Sequence, residues 1–132
     1  MSQGNVEVAT AAIEAFNVAD LDGFAGCTTL DFEWSPSMVA IEGTIFRGRE
    51  GIKSYFRSLN GAWERFHIHR GSFHEAEDVV VMLGRLEGLG RSGVPVDSSL
   101  AMVFDFRDGA ISRIRGFLDH DEGLRAAGLA PG

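Results

Sequence analysis

The chain opens on a helical pattern. Val6, Ala9, Ile13 and Phe16 recur at helical spacing through Asn17, and Asn5 is a suitable N-cap ahead of them. Asp20 restarts the chain, and Leu21, Phe24 and Ala25 predict a short second helix weakened by Gly23 and Gly26. The run Asp31-Phe32-Glu33-Trp34-Ser35 alternates apolar with polar and stops at Pro36, which predicts a short strand at a sheet edge. Ser37 to Phe46 has no clear period and reads as a loop or an irregular strand over a rim. From Gly48 to Phe66 the helical period returns. Ile52, Phe56, Leu59, Trp63 and Phe66 make one apolar stripe, flanked by Lys53, Arg57, Glu64 and Arg65.

At His67 the period becomes that of strands. Four segments follow, about His67 to Glu77, Val79 to Gly90, Val94 to Phe106 and Ala110 to Leu118. They are separated by Glu77-Asp78, Gly90-Arg91-Ser92-Gly93 and Arg107-Asp108-Gly109, all with turn chemistry. Such short connections predict an antiparallel meander. A last helix, Glu122 to Ala127, is capped by Asp121 and closed by Gly128. Helices first and strands afterwards give an α+β fold, expected as one domain over residues 1–132. The expected architecture is a curved antiparallel sheet wrapped around the N-terminal helices, with a conical pocket between them. Val79 to Met82 is apolar on both parities, so both faces of that strand need cover. The cone supplies one cover and a partner sheet the other, which predicts a homodimer.

Composition narrows the partners. A net charge of −7 disfavours nucleic acid, which requires a basic stripe, and disfavours an anionic membrane surface. No apolar run is long enough to span a bilayer, the first ten residues do not have the pattern of a signal peptide, and the single cysteine, Cys27, has no internal partner. These features predict a cytoplasmic protein.

Four stretches carry a family resemblance. They are Asn17-Val18-Ala19-Asp20-Leu21-Asp22, Phe46-Arg47-Gly48-Arg49-Glu50-Gly51-Ile52, Arg107-Asp108-Gly109-Ala110-Ile111, and Leu118-Asp119 followed by Glu122 to Leu129. In this order and spacing the chain resembles the SnoaL-like branch of the nuclear transport factor 2-like superfamily. Gly123 stands where that tail usually has alanine. The resemblance implies the cone-shaped fold and a choice among isomerase, cyclase, dehydratase and hydrolase chemistry, or plain binding.

Each implied chemistry makes a demand on particular positions. A ketosteroid isomerase would need a tyrosine where the resemblance places Ala12 and a carboxylate at or beside Ser35, so that activity is rejected. An epoxide hydrolase of the limonene type would use an Arg-x-Asp pair, matched by Arg85-Leu86-Glu87, and a second aspartate that falls on Gly116. A SnoaL-type cyclase would use an acid near the last strand, for which Asp119 is the candidate and helix capping the competing role.

The histidines add further acid–base candidates. His67 and His69 share a strand face, and His74 lies on the opposite parity unless a bulge near Gly71 shifts the phase. His120 reads as exposed in the closing turn. No third ligand joins the His-x-His pair, so neither a metal nor a cofactor is expected. The candidate catalytic set is therefore Glu87, Arg85, Asp119, His69 and His74. The candidate substrate wall is Trp34, Phe46, Tyr55, Trp63, Met102 and Phe117, with Tyr55 off the main stripe of its helix. Such a wall predicts a small apolar partner of polyketide or terpenoid character. The expected activity is cofactor-free acid–base catalysis on it, with a non-catalytic binding protein or a homodimeric interaction domain as alternatives.

Overall fold

A computed structural model describes residues 2–36 and 45–129. The elements are helices α1 (Ser2–Asn17) and α2 (Leu21–Ala25), strands β1 (Thr28–Ser35) and β2 (Phe46–Arg47), helix α3 (Gly48–Ala62), strands β3 (Trp63–Ala76), β4 (Val79–Gly90), β5 (Pro95–Arg107) and β6 (Ala110–Phe117), and helix α4 (His120–Ala126). The expected loop over 37–44 lies outside the described residues.

The α+β class holds, with a six-stranded curved sheet in the order β2-β1-β6-β5-β4-β3. The meander from β3 to β6 is antiparallel throughout, as the short turns require. The sheet is nevertheless mixed, because β1 runs parallel to β6. The helix α3 and the whole meander separate these two strands in sequence, which leaves room for a parallel pairing that a hairpin could not make. The turns sit where their chemistry placed them. Glu77 takes φ 54°, Asp108 φ 53° and Gly109 φ 80°, values that tight turns demand.

Two helix ends differ from the sequence reading. α3 stops at Ala62, and Trp63 already has extended backbone, φ −124° and ψ 135°. Trp63 and Phe66 fit a helical stripe, but Trp63 to Ile68 is aromatic and branched enough to join the edge of the sheet instead. The buried stripe of α3 is accordingly Ile52, Tyr55 and Leu59, with Phe56 half-buried beside it. α4 begins two residues early, at His120, and its N-cap is Asp119, whose carboxylate accepts from the Asp121 amide. At the other end of the chain α1 already includes Asn5, which is buried inside the helix rather than capping it.

Alternation along the strands sorts the side chains into two clusters. Met82, Leu86, Met102, Phe104 and Ile114 face α1, α2 and α3 and form the main core with Phe16, Phe24, Phe32 and Trp34. Val81 and Val103 face the opposite way, and Leu124 of α4 closes over them. The second face of the Val79–Met82 run is therefore covered by this chain's own C-terminal helix. The sequence argument for a partner sheet at that place lapses. Among the described residues no helix is long and apolar enough to cross a membrane.

Candidate functional site

The inner face of the sheet and the helices enclose a small cavity. Phe16 comes from α1, Trp34 from β1 and Tyr55 from α3, while Ile68, Leu86, Met102 and Ile114 come from four adjacent strands. The free volume is about 30 Å³, space for about one water molecule. Trp34 and Tyr55 are packed edge to face with centroids 4.2 Å apart, and Phe46 lies 5.2 Å from Tyr55. Tyr55 brings the one hydroxyl among these lining side chains, and no described lining residue carries a carboxylate, an imidazole or a cation. Burial pushes the Tyr55 phenol far above its ordinary range, because the phenolate would be desolvated.

The family model for the SnoaL-like domain matches residues 9–114. The chain belongs to the SnoaL-like family. No curated protein matches it in sequence. Solved structures of the same fold include a nuclear transport factor 2-like protein of unknown function from Burkholderia pseudomallei, with TM-score 0.80 and 19% identity over 92% of this chain and 95% of that one. TerC crystallised with polyporic acid gives TM-score 0.79 and 22% identity over 88% and 92%. A Mycobacterium tuberculosis protein in complex with estradiol-17β-hemisuccinate gives TM-score 0.74 and 14% identity over 89% and 95%. At these identities the likeness is one of fold.

Within this SnoaL-like fold, most of the acid–base candidates lie outside the cavity. Leu86 lines it, so alternation sends Arg85 and Glu87 to the outer face of the sheet. There Arg85 pairs with Asp97 at 3.1 Å and Glu87 with His69 at 2.7 Å, all partly solvent-exposed. The β3 register does shift between His69 and Ser72. That bulge brings His74 to the same outer face, within 2.9 Å of the Ser72 hydroxyl. Asp119 is exposed and occupied with capping α4. His120 is half-buried rather than exposed, and its Nε2 donates to the Gly84 carbonyl at 2.9 Å. Among the described residues no group of His, Cys, Asp or Glu is arranged to hold a metal ion.

The apolar candidates divide. Trp34, Tyr55 and Met102 line the cavity, and Phe46 packs behind Tyr55 with its ring tilted by 42°. Trp63 lies in a separate groove, and Phe117 points to the outer face against α4. The residue before it, Gly116, faces the cavity beside Met102, with which it is in register. The position to which the resemblance assigns a hydrolase-type aspartate thus faces the cavity, and it carries no side chain. Ile68, Leu86, Leu100 and Gly116 were missed from sequence as wall residues. Fixing strand parity on Leu86 between its two charged neighbours was the signal that could have found them.

Proposed function

We propose that this SnoaL-like protein binds a small apolar ring compound within the cone and holds it without acid–base chemistry from the described wall. One observation carries the reading: the described residues that wall the cavity are aromatic and aliphatic, with a single hydroxyl and no titrating acid or base suited to neutral pH among them. Apolar walls with one polar handle bind by burial and orient by one hydrogen bond. Two proteins of the same fold were crystallised with small organic molecules, polyporic acid and estradiol-17β-hemisuccinate. The test is saturable quenching by a brominated aromatic in Trp63→Phe, where Trp34 is the remaining tryptophan, repeated with Met102→Phe added, where the larger ring fills the cavity. Saturable quenching that Met102→Phe abolishes supports the reading, and unsaturable quenching in both proteins removes it.

A second reading places catalysis on the outer face. It is favoured by the His69–Glu87 bond of 2.7 Å, in which a carboxylate orients an imidazole. Glu87 of this pair borders a depression of about 520 Å³ that also takes in Arg65, His67 and Asp97. A substrate turned over there would lose turnover in both His69→Gln and Glu87→Gln, while ring binding at Trp34 stayed unchanged.

A further inference from the structure

The cavity as it stands is too small for its proposed ligand. A benzene-sized ring needs a void of about 150 Å³, against about 30 Å³ inside the cone. A groove of about 160 Å³ lies next to it, between the C-terminal ends of α1 and α3 and the start of β3. Phe56, Leu59 and Trp63 form its walls, and Glu64 and Arg65 stand at its rim.

Phe16 and Phe66 line both spaces. Their rings meet edge to face with centroids 5.7 Å apart, so this one aromatic pair is the partition between them. Phe66 is half-buried, and its next aromatic contact is Trp63, 5.3 Å away on the groove side. Across the sheet Phe66 is in register with Gly88, where a Cβ would come within 3.0 Å of the Trp63 indole. Glycine there lets Trp63 lie flat against β4, two residues beyond Leu86 on the same face. Groove and cavity are therefore consecutive sections of one inner surface.

We infer that the groove is a second ring-binding compartment, joined to the cavity when Phe66 swings aside, and that the complete site takes an elongated molecule with two apolar ring systems. This rests on the small-molecule reading above. Polar substituents of the outer ring would remain in water beside Glu64 and Arg65. A dent of this size fits a ring and not a protein, since a stable protein contact buries on the order of 1,000 Å² or more.

The chain has two tryptophans, and one lies in each compartment, Trp63 in the groove and Trp34 in the cavity. Trp34→Phe and Trp63→Phe therefore give single-compartment reporters for 1-bromonaphthalene, a contact quencher. We expect saturable quenching of both reporters, with Trp63 quenched faster. Adding Phe66→Ala should speed Trp34 quenching about tenfold by removing the closed state, a larger change than the one it makes at Trp63. Phe66→Leu, which keeps more of the packing, should act in the same direction and guards against a folding defect.

Saturable quenching of Trp34 alone, indifferent to both Phe66 variants, overturns the two-compartment site while the small-molecule reading stands. Absence of saturable quenching at either tryptophan overturns both. Shielding of Trp63 that grows with protein concentration would assign the groove to a second copy of the chain and overturn the inference.

Discussion

The side-chain amide of Asn17 takes both backbone groups of Ile68. Its Nδ2 donates to the Ile68 carbonyl at 2.9 Å, and its Oδ1 accepts from the Ile68 amide at 2.8 Å. β3 is the free edge of the sheet, so Ile68 turns an unpaired N–H and C=O outward, and Asn17 satisfies them as a neighbouring strand would. Only a carboxamide offers a donor and an acceptor in this geometry. The pairing ties the end of α1 to the strand that supplies Ile68 to the cavity.

Asn17→Ala should lower stability by about 1–3 kcal/mol, because it leaves two part-buried backbone groups unpaired. Asn17→Asp should lose stability too, since a carboxylate cannot donate to the carbonyl. Urea unfolding checks both. An aspartate variant as stable as the parent would mean that the paired bonds contribute nothing.

Tyr55 is the one tyrosine of the chain, so its titration can be followed alone by tyrosinate absorbance. Burial raises its folded pKa, so the native state holds the proton more tightly than the unfolded chain does. Its contribution to stability is full below the unfolded value of about 10 and is lost as pH rises above it. Tyrosinate should therefore appear together with alkaline unfolding. A phenol that titrates near its ordinary value in folded protein would contradict its burial at the cavity wall.

Gly123 of α4 sits against Ala101 of β5, and a Cβ on it would fall 2.4 Å from the alanine Cβ. That contact leaves no room for a methyl at position 123 opposite Ala101. Gly123→Ala should destabilise by about 1–3 kcal/mol through overpacking. Ala101→Gly in the same chain should recover part of the loss, by removing the opposing methyl. Thermal unfolding of the two single variants and the double variant measures the coupling. Additive losses would show that the two positions do not compete for space.

Arg85→Ala and Glu87→Ala should each change stability by less than about 1 kcal/mol, because their ion pairs are exposed. Neither should alter binding of an aromatic probe in the cone. A large loss of probe binding in either variant would place the ligand on the outer face.

Met102→Ala should cost about 2–5 kcal/mol through the void it leaves in the core. The same void should strengthen binding of benzene, which then need not displace Phe66. Calorimetry with benzene reads both effects. Unchanged affinity would mean that Met102 does not bound the binding space.

Much of the fold was legible along the chain because it depends on local chemistry. Asp20 caps α2 through its own carboxylate, and the Arg107-Asp108-Gly109 turn needs residues that tolerate positive φ. β4 runs from Val79 to Gly90 as read, since turn residues bound it on both sides. The candidate wall was half legible. Trp34 and Met102 are large and apolar on strands whose inward parity their neighbours reveal, whereas Trp63 satisfied a helical and a strand period at once.

The sequence by itself determined the order of helices and meander strands, the family and the apolar character of the interior, because period, turn chemistry and composition are properties of neighbouring residues. Only the tertiary structure decided which parity faced the cone. That choice is made by the helices that cover one face of the sheet, and it turned Arg85, Glu87 and His69 outward. It also decided that α4 covers Val81 and Val103, and that Phe16 and Phe66 stand between two spaces. Those relations join residues far apart in sequence, where packing alone sets which side chains meet.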